Sequence, residues 1–88
     1  MTPTALLFGR WVAERREALR LSQERLAEQL QVDQAAVSRL EAGRRRVTLD
    51  EFVRILDVLG VHDSDACELL TTLRRASDSP GLWIEDPD

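Results

Sequence analysis

Eighty-eight residues allow one domain with one modest core, and an apolar fraction of 43% is enough to build it, which argues against wholesale disorder. A lone cysteine, Cys67, excludes an intrachain disulfide, and no run approaches the roughly 18 apolar residues of a membrane helix, so a cytoplasmic protein without membrane contact is expected. The formal charge of −4 comes entirely from Asp78, Glu85, Asp86 and Asp88, because residues 1–76 carry twelve arginines and as many acids.

The elements follow in chain order. Residues 4–20 read as a first helix with Leu7, Trp11, Val12, the stem of Arg15 and Leu19 on one stripe. Ser22 is a good N-cap for a second helix to about Leu30, with Leu26, Ala27 and Leu30 inward. After Gln31-Val32, Asp33 caps a third helix over 34–42, with Val37 and Leu40 inward and Gly43 as its left-handed stop. Thr48-Leu49-Asp50-Glu51 is a capping box that opens a fourth helix, whose apolar side takes Leu49, Phe52, Val53, Leu56 and Leu59. Asp63 is placed to cap a fifth helix to about Arg75, with Ala66, Leu69, Leu70 and Leu73 at helical spacing. No segment alternates as a strand would, so the expected fold is all-α, with a helical body over 1–76 and an acidic Pro/Trp-containing tail over 77–88.

Chemistry is concentrated in residues 22–46. Two short helices joined by three or four residues suit a helix-turn-helix, in which the second helix enters the major groove of a DNA duplex. That groove is about 12 Å wide, so the reading face needs short polar groups and an occasional long donor. Gln34, Ala35, Ser38 and Arg39 meet this requirement: Gln bonds adenine, Arg bonds guanine, and an Ala methyl meets that of thymine. Most charge runs are merely solvated, but Arg44-Arg45-Arg46 follows the third helix directly with no acid among the three. Charge screening limits electrostatic range to about 8–10 Å, so the acidic tail does not speak against a local positive patch.

The string LSQERLAEQLQVDQAAVSRLEAG, residues 21–43, resembles the helix-turn-helix of the Cro/C1-type (Xre) transcription regulators. The likeness rests on Leu21-Ser22-Gln23, Leu26-Ala27, Val32, Val37-Ser38-Arg39-Leu40-Glu41 and Gly43, and with flanking helices it covers roughly residues 6–61. It implies a compact five-helix, lambda-repressor-like bundle that binds double-stranded DNA, as a homodimer on a palindromic operator and acting as a repressor. Asp33, Gln34, Ala35, Ser38 and Arg39 match base-facing positions. Ser22, Gln23 and the Arg44, Arg45, Arg46 loop match backbone-contacting ones, with Arg44 or Arg46 favoured within the loop and Gln23 also bracing the reading helix. Arg16 and Glu41 match a pair that ties the first helix to the third in some members. The sequence departs from the family at Gln31 and Arg20, where Gly is common, and at Asp33, where Ser or Thr is more usual.

Two regions leave alternatives open. Leu69, Leu70 and Leu73 would supply a dimer interface or cover the core, and the same side chains cannot do both. Leu82-Trp83-Ile84 is an apolar triplet in an acidic segment; it either closes the body or docks on a second subunit or partner protein, as the tail of an antitoxin would. Cys67 is expected as a small semi-buried hydrophobe and His62 as a loop residue. No Cys/His spacing suggests a metal and no nucleophile motif suggests an enzyme, so neither cofactor nor catalysis is expected.

Overall fold

A computed structural model describes residues 2–77, which form five helices and no strand. Helix α1 spans Pro3–Ala18, α2 Gln23–Leu30, α3 Gln34–Glu41, α4 Leu49–Val58 and α5 Asp63–Ala76. Helix α3 packs against both α1 and α2, α4 leans on α2, and α5 lies along α1. The side chains of Val12, Leu26, Val37, Ile55 and Leu59 are fully enclosed, so four helices contribute to the centre of one core.

Side-chain caps start four of the helices. Thr2 Oγ1 accepts from the Ala5 amide at 3.1 Å, with Pro3 in the first turn where its missing N–H costs nothing. Ser22 Oγ and Asp33 Oδ1 accept from Arg25 and Ala36 amides at 3.0 and 2.9 Å. At α4 the capping box closes in both directions, Glu51 N to Thr48 Oγ1 at 3.1 Å and Thr48 N to Glu51 Oε1 at 3.2 Å. Helix α5 differs from expectation: His62 is its N-cap and makes no side-chain cap, while Asp63 falls inside the first turn. There Asp63 and Asp65 face the positive end of the helix dipole instead.

Four helices end in the same way. A six-residue loop closes with amide-to-carbonyl bonds from Leu21 to Arg16, Val32 to Ala27, Arg44 to Arg39 and Val61 to Leu56, all at 2.9–3.0 Å. Each needs one left-handed residue, and these are Arg20, Gln31, Gly43 and Gly60, with φ of 60, 60, 75 and 65°. Arg20 and Gln31 therefore hold a conformation that costs a side-chain-bearing residue about 1 kcal/mol.

Three burial expectations are corrected. Helix α1 ends at Ala18, leaving Leu19 half exposed, and its inward residues are Phe8, Gly9 and Val12. Apolar residues run nearly all round α1, so its facing is set by its partner rather than by its own pattern. A Cβ on Gly9 would lie 2.4 Å from the Leu40 carbonyl oxygen and 2.6 Å from that of Glu41, so only glycine lets α1 come this close to α3. In α4 the core direction runs through Phe52, Ile55 and Leu59, and Leu49 and Val53 are left exposed at its flank. Cys67 is exposed rather than semi-buried.

Candidate nucleic-acid interface

Helix α3 separates its residues cleanly. Ala36, Val37 and Leu40 are buried, whereas Gln34, Ala35, Ser38 and Arg39 are all exposed on the outer side, and Asp33 is exposed at its amino end. No ion pair within 4 Å engages Arg39 among the described residues, so its guanidinium is available to an external acceptor. Arg39 also falls in the last turn, close to the negative end of the α3 dipole.

A hydrogen-bonded relay carries this face back to the scaffold. Arg16 on α1 grips Glu41 with Nε to Oε2 at 2.7 Å and Nη2 to Oε1 at 3.2 Å. Its remaining nitrogen, Nη1, donates to the Leu21 carbonyl at 2.8 Å, tying in the chain just ahead of α2. Gln23 Nε2 donates to the same Glu41 Oε1 at 2.9 Å, and Gln23 Oε1 accepts from Gln34 Nε2 at 3.2 Å. The two charged side chains are only 11% and 8% exposed, so the pair lies where water weakens it little. The Glu41 hydrogen bond raises the Arg16 pKa above its ordinary value, and the guanidinium stays charged. An outward amide, Gln34, is thus held by Gln23, which is held by Glu41, which is held by Arg16.

The three arginines after α3 divide. Arg45 is half-buried and forks onto Glu51, Nη1 to Oε1 at 3.0 Å and Nη2 to Oε2 at 2.8 Å. That fork is the largest influence holding the Glu51 carboxyl below its usual range, with the Thr48 amide adding to it. Arg44 and Arg46 are exposed and enter no ion pair among the described residues. The acid that engages Arg45 lies six positions on, in the first turn of the next helix, so inspection of the arginine run alone does not reveal it. Ser22 is exposed at the amino end of α2, its hydroxyl accepting the capping bond.

A family model described as helix-turn-helix matches residues 12–65, from the middle of α1 into the first turn of α5. The chain belongs to the Cro/C1-type helix-turn-helix family. Comparison with curated proteins and with solved structures finds no match. Family membership makes it a DNA-binding helix-turn-helix regulator, in a family that is not typically enzymatic. In this helix-turn-helix protein α2 and α3 form the motif, and Gln31-Val32-Asp33 is the turn.

The α5 leucines fall into different environments. Leu69 is 5% exposed and belongs to the core, so it is withdrawn as a contact for a second molecule. Leu73 is partly buried against that core, and only Leu70, 46% exposed, points away. Leu82, Trp83 and Ile84 lie outside the described residues. Among the described residues no group of three His, Cys, Asp or Glu could hold a metal ion, and no helix is long and apolar enough to cross a membrane.

Proposed function

We propose that this regulator is a sequence-specific repressor that reads double-stranded DNA in the major groove with α3, two copies assembling as a homodimer on a palindromic operator. The observation that carries this reading is the relay Arg16–Glu41–Gln23–Gln34, which braces an exposed polar face against two other helices. Base reading requires donors and acceptors fixed before contact, because a side chain ordered only on binding loses entropy there. Gln34 Nε2 already donates to Gln23, leaving its Oε1 and second N–H for an adenine edge. Ala35, Ser38 and Arg39 read further bases, while Asp33 at the helix entrance accepts from a cytosine amino group.

Affinity comes from the backbone. Ser22 and Gln23 at the start of α2, with Arg44 and Arg46 after α3, flank the reading face and contact phosphates. Arg45 serves the scaffold through Glu51. Two copies on half-sites about 34–36 Å apart place both reading helices in successive major grooves on one side of the duplex.

Selection of binding sites from random duplex DNA tests the proposal. The expected product is a two-fold symmetric consensus bound more weakly as salt rises, by about 10³–10⁵ between 50 and 200 mM for 6–10 phosphate contacts. Absence of a consensus, or binding flat with salt, would overturn it. A Gln34→Ala variant should lose about 1–3 kcal/mol of discrimination at one position of each half-site.

A further inference from the structure

An open apolar groove of about 710 Å³ lies where the amino end of α1, the start of α4 and the outer side of α5 meet. Phe8, Leu49, Phe52, Leu70 and Leu73 line it, and Arg46 stands at its edge. Leu49 is 76% exposed and Leu70 46%, so apolar surface that would favour burial is presented to water. We propose that this groove is the docking site of the chain's own apolar triplet, Leu82-Trp83-Ile84.

Three features select this occupant. The first is reach: α5 ends at Ala76, less than one turn beyond the groove-lining Leu73, and the five residues 77–81 extend at most about 17 Å. The second is direction, because Pro80-Gly81 is a strong turn signal between the end of α5 and the triplet, as a return over α5 requires. The third is charge. Residues 78–88 hold four acids and no base, whereas Arg46 is among the residues that line the groove. The triplet supplies what the groove lacks, an indole and two aliphatic side chains, and the acids beside it are attracted by Arg46. The docking does not depend on the DNA-binding role.

Cys67 gives a built-in test, since it is the chain's one cysteine, is exposed, and lies one helical turn before Leu70. A nitroxide attached to Cys67 of the full chain should strip most of the intensity from the Trp83 indole N–H signal, assigned with a Trp83→Phe variant. The loss should be independent of protein concentration and should be relieved by Leu49→Glu, a change at an exposed position. Intensity retained in the labelled chain would overturn the proposal. So would broadening confined to mixtures in which the nitroxide and the observed tryptophan sit on different chains, which would assign the groove to a second copy.

Discussion

Glu41 receives two nitrogens of Arg16 and one of Gln23, so a single carboxylate organises three segments of chain. Replacing it with Ala leaves a largely buried guanidinium without its counter-charge, and Glu41→Ala is expected to cost about 3–5 kcal/mol in urea unfolding. Gln23→Ala removes a side chain that is half-buried and hydrogen-bonded but uncharged, so its stability cost should be near 1 kcal/mol, with the larger loss in base discrimination at Gln34. The left-handed turns give changes of opposite sign. Gln31→Gly relieves a positive φ and should raise stability by about 0.5–1 kcal/mol, whereas Gly43→Ala should lower it, because φ is 75° and the new Cβ would press on Leu6 at 3.0 Å. Residue roles were legible where chemistry is local, as in the caps at Ser22, Asp33 and Thr48. Across elements, Arg16–Glu41 was legible only through the family resemblance, and two roles were hidden: Glu51 answers Arg45 across a loop, and Gly9 is explained by the carbonyls of α3 rather than by its neighbours in α1.

Helix α1 shows what periodicity alone misses. Its apolar residues offer several faces, and the one used is chosen by the close approach at Gly9. Gly9→Ala should force α1 and α3 apart and cost about 1–3 kcal/mol or more, measured by thermal unfolding. In α4 the strong start signal gave the boundary correctly, but the core direction passes through Ile55, which left Leu49 and Val53 outside. The joint between the arginine loop and α4 carries a pH dependence. The Glu51 carboxyl is held below its usual range in the folded chain, chiefly by Arg45, and returns to it on unfolding. The unfolded state therefore binds more protons, so this contribution is present above the ordinary carboxylate value of about 4.3 and is lost as pH falls through the lower folded value. Urea midpoints measured on acidification should fall less steeply in Glu51→Gln than in the parent chain.

At the scale of the molecule, charge separates the arginines by task. Arg44→Ala and Arg46→Ala should each reduce the salt slope of DNA binding by about 2, one contact from each copy of the homodimer, while leaving stability within about 0.5 kcal/mol. Arg45→Ala should do the reverse, leaving the salt slope unchanged and weakening the fold by about 1 kcal/mol through loss of its forked pair with Glu51. Duplex binding titrated with salt and urea unfolding, run on all three variants, would distinguish these outcomes. The five-helix order was legible because caps at Ser22, Asp33 and Thr48 and glycine stops at Gly43 and Gly60 punctuate the apolar spacing. The distribution of exposed apolar surface was not, since it depends on how α1, α4 and α5 converge.

Helix α3 keeps two sets of residues with no member in common. Ala36, Val37, Leu40 and Glu41 hold it to the body, while the side chains of Ala35, Ser38 and Arg39 are exposed and enter no side-chain hydrogen bond or ion pair among the described residues. The helix therefore resembles a key blank, its shank fixed and its teeth uncut. A library varied at positions 35, 38 and 39, with Gln34 kept in its relay, should yield folded proteins of near-parental stability that prefer different duplexes. A lineage could in the same way change its target through few substitutions without passing through an unstable form.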